Sequence, residues 1–472
     1  MPATPGPYPL KGVDMPTWLL RFDQHGACTS PATRAMLLDR LGSAPPSDLV
    51  IFCHGWNNDF DDATGMYAAF LRNFEALGAA HPPGRPFDPL FIGVLWPSIW
   101  FSFDRGPEIA SGESGATAGS AGPAEALLAE LAGRIAASGG AAGLGRVYAL
   151  LAAPAIDDAD AAELARLIAP AFGVTADEGA AMAGRNTVAD DVLAMMHAME
   201  AAGLAGRPPQ SDDIDDFSRP ADAGDAAAGP ARPRVAGGLG WLDPRHALRL
   251  FSLYQMKDRA GSVGFNGVAS LLRNLLGGTE AVSTAEATAQ TRVHAVGHSF
   301  GCKVMLSAIC AQPLPRPVAS LLLLQPAISH LCFADKLAET GQPGGYRAAL
   351  SAERVTPPIV TTYTRQDMPL HSTFHLAVRR AGDLGEVQIA GDDDPSTTAG
   401  RPPSRFAALG GYGPRQANQV LVDPLPPAGS AMAWPEGDVP IVAFDGSQDM
   451  IHGHGDITGP ALAWALRRLV FR

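Results

Sequence analysis

Short apolar runs recur along the chain, and each is bounded by polar residues, glycine or proline. Runs of this length and composition, several of them rich in β-branched residues, predict buried strands. The predicted strands span residues 17–23, 49–53, 89–95, 291–296, 318–324, 358–363 and 439–444. Because the last run contains Pro440, we expect it at an edge of the sheet.

Amphipathic segments with helix-start signals separate these strands. One begins at Ser30-Pro31, where serine suits the N-cap and proline suits the first helical position. The others cover residues 63–77, 244–276, 302–310, 370–380 and 459–471. Strands that alternate with helices predict an α/β fold, with a mostly parallel, doubly wound sheet between two helical layers.

Residues 101–240, here called the insertion, interrupt this pattern. Gly, Ala and Ser dominate them, and weak helical patterns occupy residues 124–137, 146–153, 157–171 and 187–202. Residues 205–236 read as a flexible acidic loop. We therefore expect an N-terminal arm (1–16), a core (17–100 and 241–472) and a helical, partly flexible insertion. A lid over the site is our hypothesis for the insertion; a spacer or partner-binding arm is the alternative.

Composition limits the partners and the compartment. The formal net charge is −13 and the pI near 5.3, so we expect neither nucleic acid nor an anionic membrane surface as main partner. No apolar run approaches the ~20 residues that span a bilayer, and no secretory signal is visible. The five cysteines lack paired spacing. They predict reduced thiols, as in a cytoplasmic protein.

One pentapeptide, Gly297-His298-Ser299-Phe300-Gly301, joins a predicted strand to a predicted helix. Strand, Gly-x-Ser-x-Gly and helix together are typical of a nucleophile elbow, in which a sharp turn projects the serine hydroxyl from the sheet. The glycines are needed because side chains there would crowd the neighbouring strand or helix. A tight turn with a surface serine is the simpler interpretation.

A nucleophilic serine needs a base and a carboxylate that orients the base, and in folds with a nucleophile elbow the chain order is serine, acid, histidine. Asp367, after a strand, and His454, after the last strand, satisfy this order. Asp367 also suits a helix N-cap, and the two roles are compatible. The alternatives are His452 as base, Asp335, Asp423 or Asp449 as acid, and a metal site at His452, His454 and Asp456.

A second motif, His54-Gly55-Trp56, follows the strand at 49–53. We expect the backbone N–H groups of Trp56 and Phe300 to form an oxyanion hole. A simple Gly-Trp-Asn turn is the alternative. His294 and His298 are interpreted as packing and hydrogen-bonding residues. We predict no cofactor and no bound metal.

These motifs together resemble the α/β-hydrolases, in particular bacterial members of unknown function with an HGWNN-type oxyanion loop. The resemblance covers about residues 17–100 and 245–472, and it rests on His54-Gly55-Trp56-Asn57-Asn58, Leu95-Trp96-Pro97-Ser98, Gly297-His298-Ser299-Phe300-Gly301 and Asp367-Met368-Pro369-Leu370. It implies a serine hydrolase with the triad Ser299, Asp367 and His454.

We expect a small-molecule carboxylic ester as substrate, cleaved through an acyl-serine. A thioesterase, amidase or peptidase would use the same residues, and a catalytically silent scaffold is the alternative of another class. Aromatic and apolar residues beside the insertion are expected to line an acyl pocket: Phe101, Phe103, Trp241, Leu242 and Phe251.

Overall fold

The computed structural model describes most of the predicted core and short parts of the insertion. The described residues are 5–56, 58–98, 132–133, 135–136, 143–153, 155–168, 256–278, 290–337, 341–372, 407–432, 434–435 and 438–472. The chain divides into two compact units. One comprises Met1–Gly119, Phe217–Arg219 and Met256–Arg472, and the other comprises Ser120–Asp216 and Pro220–Gln255.

The first unit is an α/β structure built on one eight-stranded, all-parallel sheet. The strand order is β1-β3-β2-β4-β5-β6-β8-β7. The strands are β1 (Thr17–Arg21), β2 (Asp48–Cys53), β3 (Pro89–Leu95), β4 (Arg292–His298), β5 (Ser320–Leu324), β6 (Ile359–Tyr363), β7 (Gln419–Val422) and β8 (Ile441–Asp445). The inner strands are buried along almost their whole length, which explains why they read as continuous apolar runs.

Helices flank the sheet, as the alternating pattern predicts. In the first unit they are α1 (Pro31–Ser43), α2 (Phe60–Ala80), α5 (Ala269–Leu275), α6 (Phe300–Ala311), α7 (Met368–Ser372), α8 (Leu409–Tyr412) and α9 (Pro460–Val470), with a π-helical segment (Val263–Val268) before α5 and a 3₁₀ turn (Arg347–Leu350). The second unit contains α3 (Leu144–Leu151) and α4 (Asp158–Ile168).

Alternate side chains of each strand face different helices. Val50, Phe52 and Phe91 pack in one cluster with α2 and α9. On the opposite face, the π-helical segment packs against α6. At Gly264 an added Cβ would lie 2.3 Å from the Val304 carbonyl oxygen, so glycine is required for this close approach. Two helical layers therefore enclose the sheet, and side chains at its carboxyl edge are held between them.

The N-terminal residues lie against this core. Leu10 and Met15 belong to the buried cluster. The Glu75 carboxylate of α2 accepts hydrogen bonds from the backbone N–H groups of Asp14 (3.1 Å) and Met15 (2.7 Å). Residues 5–16 thus cover part of the α2 face.

Buried charges lie at the amino edge of the sheet, where β2 and β4 begin. Asp48 is fully buried and accepts hydrogen bonds from Arg85, Arg292 and His294. Burial by itself would raise the pKa of Asp48, but its hydrogen bonds to His294, Arg85, Arg292 and Ser47 hold it well below the usual range. The role expected for His294 as a hydrogen-bonding residue agrees with this cluster.

Two features of the sheet differ from the sequence-based expectations. The last predicted strand, β8, does not lie at an edge, because β6 and β7 flank it. Pro440 precedes the strand, so its missing N–H interrupts no ladder, and its carbonyl accepts from the Ile359 N–H (2.9 Å). The strand at this edge is β7, four partly exposed residues that lie outside all of the predicted strands.

In the second unit, α3 and α4 contact one another. Arg146 forms ion pairs with Asp160 (2.5 Å) and Glu163 (2.7 Å). Buried apolar side chains from both helices, including Val147 and Leu164, accompany these pairs. The two helices correspond to the patterns predicted at residues 146–153 and 157–171.

Several expectations concern residues outside the described part: the helix at 187–202, the loop at 205–236, most of the helices at 124–137 and 370–380, and the pocket residues Phe101, Phe103, Trp241, Leu242 and Phe251. Within the described part, no helix combines the length and the apolar character needed to cross a membrane.

Candidate active site

Ser299 lies in a sharp turn between β4 and α6. Its backbone angles are φ 54° and ψ −124°, a conformation that residues with side chains rarely adopt. The Ser299 N–H donates to the Leu324 carbonyl (3.1 Å), which ties the turn to β5. The serine is 2% exposed. The strained turn therefore fixes the direction of the hydroxyl at the carboxyl edge of the sheet.

The two motif glycines allow the turn to fit between its neighbours. A Cβ at Gly297 would lie 2.7 Å from the Cys302 Cα in α6. A Cβ at Gly301 would lie 2.2 Å from the Cys53 carbonyl oxygen at the end of β2. Both contacts are with backbone atoms, which cannot swing aside as a flexible side chain can. The sequence requirement for glycine thus has a steric cause on each side of the serine.

Ser299, His454 and Asp367 form a continuous hydrogen-bonded row. The His454 Nε2 lies 2.7 Å from the Ser299 Oγ, and the His454 Nδ1 lies 2.7 Å from the Asp367 Oδ2. A carboxylate can only accept, so Nδ1 carries the proton and Nε2 of the neutral ring accepts from the serine hydroxyl. This is the tautomer that a base needs in order to remove the serine proton.

Asp367 is fully buried, and three donors among the described residues hydrogen-bond to its carboxylate. Besides His454, Oδ2 accepts from the Gln325 Nε2 (3.2 Å), and Oδ1 accepts from the Leu370 N–H (3.0 Å). The last bond is an N-cap of α7, so the carboxylate both caps a helix and orients the histidine. Three donors compensate for the loss of water around the charge.

The loop that carries His454 is anchored by His298 of β4. The His298 Nε2–H donates to the His454 carbonyl (2.9 Å), while Nδ1 is buried with no hydrogen-bond partner in the described part of the chain. Burial, followed by the nearby His454, holds the pKa of His298 well below that of an ordinary histidine. His298 therefore stays neutral when His454 takes up a proton.

The alternative residues lie elsewhere. The His452 Nδ1 pairs with Asp456 (3.0 Å), and the His452 side chain is 52% exposed. Asp335 pairs with Arg347, and Asp423 accepts from Gln448. The ring nitrogens of His454 are already bonded to Ser299 and Asp367, and in the described part no three His, Cys, Asp or Glu side chains converge on a point where a metal would bind.

The loop after β2 is held by a network around His54. Its N–H donates to the Tyr67 hydroxyl (3.0 Å), which donates to the Val94 carbonyl (2.7 Å). The His54 Nδ1–H donates to the Gly55 carbonyl (2.9 Å), so Nε2 is free to accept from the Trp96 N–H (3.3 Å). Burial lowers the pKa of His54 to about 4, against the opposing effect of the bond to Gly55.

This loop reaches the elbow through Gly55 and Trp56. A Cβ at Gly55 would lie 2.7 Å from both the Ser299 Cβ and the His298 Nδ1. The rings of Trp56 and Phe300 are 6.4 Å apart between centroids. Phe300 is the first residue of α6, where a backbone N–H has no acceptor within the helix. The two residues expected to stabilise an oxyanion thus lie side by side at the serine.

Sequence reasoning missed two polar residues of the site, Gln325 and Thr362. Both are fully buried. Gln325 directly follows β5, and a polar residue at the carboxyl end of a buried strand beside the elbow strand was the signal that could have indicated it.

Comparisons with protein-family models, curated proteins and solved structures give no match for this chain. Function is therefore inferred from the geometry of the site itself.

Proposed function

We propose that the protein is a serine hydrolase that cleaves carboxylic esters through an acyl-serine intermediate. The observation that carries this proposal is the row of two 2.7 Å contacts, from Ser299 to His454 and from His454 to Asp367. The strained φ of 54° at Ser299 supports it, because strain of this kind persists at sites where a side chain must be held in one direction.

In the proposed reaction the Ser299 Oγ attacks the ester carbonyl carbon, and His454 Nε2 takes the hydroxyl proton. Asp367 stabilises the imidazolium through Nδ1–H. The oxyanion accepts from the backbone N–H groups of Trp56 and Phe300. The intermediate collapses, the C–O bond to the alcohol breaks, and His454 returns the proton to the departing oxygen. Water then attacks the acyl-serine by the same steps and releases the carboxylic acid.

The α/β-hydrolase fold belongs to the same proposal. Three features support it: an all-parallel sheet with helices on both faces, a site at the carboxyl edge, and the chain order Ser299, Asp367, His454. The cytoplasmic location expected from the cysteine pattern is also part of it.

A substrate panel tests the proposal. Purified protein and its Ser299→Ala variant are assayed with p-nitrophenyl esters from acetate to palmitate, with an acyl thioester and with a p-nitroanilide. We expect ester hydrolysis that exceeds amide hydrolysis, and a fall in kcat of about 10³-fold or more in the variant. Preference for the thioester or the anilide would reassign the substrate class. Equal turnover by the variant, or no turnover of any substrate by folded protein, would reject the proposal.

A further inference from the structure

We infer that Gln325 is a positioning residue that holds the Asp367 carboxylate against His454, and that Thr362 sets the orientation of its amide. For catalysis, the inference rests on the function proposed above. Among the described residues, no hydrogen bond joins the Gln325 side chain to the proposed nucleophile. Its effect passes through Asp367, from which the Gln325 Nε2 lies 3.2 Å away.

The orientation of the Gln325 amide follows from its contacts with Thr362. The Thr362 Oγ1 accepts from the Gln325 backbone N–H (3.1 Å) and donates its single proton to the Gln325 Oε1 (2.9 Å). With the amide oxygen on the threonine, the NH₂ group faces Asp367 and the Gly410 carbonyl (3.5 Å). The reversed amide would place an oxygen against the carboxylate, so the network permits one orientation.

Gln325 is held in this place at a conformational cost. Its φ is 45°, in the left-handed region that glutamine seldom occupies. The backbone on each side of Gln325 is hydrogen-bonded to the elbow: the Ser299 N–H donates to the Leu324 carbonyl (3.1 Å), and the Ala327 N–H donates to the Ser299 carbonyl (3.3 Å). Strain next to the proposed nucleophile, accompanied by a fully bonded buried amide, indicates a function beyond packing.

The amide restrains the carboxylate and weakens its attraction for a proton. Asp367 Oδ2 receives two donors, from Gln325 and from His454. If the first donor is lost, the carboxylate binds the His454 Nδ1 proton more strongly and is free to rotate about the remaining bonds. His454 then holds its proton to higher pH and returns less readily to the neutral base.

Other ionisable groups also face this histidine. His298 of β4 approaches it, with ring centroids 5.1 Å apart, and His54 of the loop after β2 interacts electrostatically with His298. In its own loop, His452 and Asp456 pair with each other. None of these residues changes in the variants below, so their contributions are common to all of the proteins compared.

The test uses the full-length protein with Gln325→Met, Gln325→Glu and Thr362→Val. Thr361→Val is the matched control, because Thr361 lies on the same strand, is equally buried, and its hydroxyl has no hydrogen-bond partner in the described part of the chain. Two properties are measured. The first is the NMR resonance of the His454 Nδ1 proton, assigned by its loss in Asp367→Ala. The second is kcat and KM for an ester as functions of pH.

We expect the Nδ1 proton resonance to move in Gln325→Met, and kcat to fall about 10-fold with little change in KM. The acid limb of kcat/KM moves to higher pH. Gln325→Glu brings a second carboxyl group to Asp367 and gives the larger effect. Thr362→Val gives a smaller effect of the same sign, and Thr361→Val matches the wild type.

The two proposals fail separately. If the resonance of the His454 Nδ1 proton is unshifted in both Gln325→Met and Thr362→Val, the positioning role is overturned, even if the protein is an active esterase. If the Nδ1 proton resonance shifts in these variants but the protein has no hydrolase activity, the positioning role is supported and the proposed function is rejected. Should Gln325→Met not fold, Gln325→Glu and Thr362→Val decide the question by the same resonance. The positioning role would also be overturned if Thr361→Val and Thr362→Val gave the same Nδ1 proton resonance and the same kcat.

Discussion

Acidification is expected to destabilise the sheet core through His54. The folded protein keeps this ring neutral, because Nδ1–H donates to Gly55 and Nε2 accepts from the Trp96 N–H. Protonation would place the Nε2–H against the Trp96 N–H, two donors facing each other, and would put a charge in a fully buried site. The pKa of His54 is accordingly lowered from 6.5 to about 4 by burial.

The sign and size of the effect follow from linkage. Since the folded-state pKa lies below the unfolded value, the contribution is complete above pH 6.5 and is lost as the pH falls towards 4. At about 1.4 kcal/mol per pH unit, this interval amounts to about 3 kcal/mol. His298 acts in the same direction, because burial also lowers its pKa.

The assay is urea unfolding, followed by circular dichroism and tryptophan fluorescence, at several pH values between 7 and 4.5. The comparison variant is His54→Gln, whose amide oxygen can accept from the Trp96 N–H but does not titrate. We expect it to be less stable at pH 7, yet to lose stability less steeply on acidification, by up to about 1.4 kcal/mol per pH unit. Wild-type and variant curves that run parallel across this range would refute the reasoning.

Two further predictions concern the site. In Asp367→Asn, the amide cannot accept hydrogen bonds from His454, Gln325 and Leu370 together, so His454 adopts the wrong tautomer and kcat falls by about 10⁴-fold. Asp445 is another buried aspartate at this edge, and in the control Asp445→Asn we expect kcat to stay within about 10-fold of the wild-type value. Similar kcat values for the two variants would be contrary evidence. Gly301→Ala drives a Cβ into the Cys53 carbonyl and should cost about 1–3 kcal/mol in a thermal melt. Gly453→Ala, beside His454 but with open space around its Cβ, should cost almost nothing.

The sequence could predict Ser299, Asp367 and His454 because a local sequence pattern indicates each of them. Gly-x-Ser-x-Gly between strand and helix indicates Ser299, and the carboxyl ends of later strands indicate Asp367 and His454. Parallel strands bring these ends to one edge, so three distant residues become neighbours without any sequence signal of contact. The choice between His454 and His452 needed the structure, since both lie in the same glycine-rich loop and only His454 contacts Ser299.

What the sequence could not indicate depends on non-local pairing. Gln325 forms hydrogen bonds with Thr362 and Asp367, which are 37 and 42 residues away, and no local sequence pattern indicates these contacts. The internal position of β8 depends on β7, whose few partly exposed residues form a strand because β8 offers them a partner. Pro440 was misread for the same reason: its effect depends on whether it lies within the ladder or just before it.

Covalent labelling of Ser299 tests the central claim most directly. The native protein is treated with a fluorophosphonate, and the modified residue is identified by peptide mass mapping, with Ser299→Ala and His454→Ala treated in parallel. We expect one adduct, on Ser299, that is absent from the Ser299→Ala protein and forms far more slowly in the His454→Ala protein. Labelling of another serine, or equal labelling of the His454→Ala protein, would contradict it.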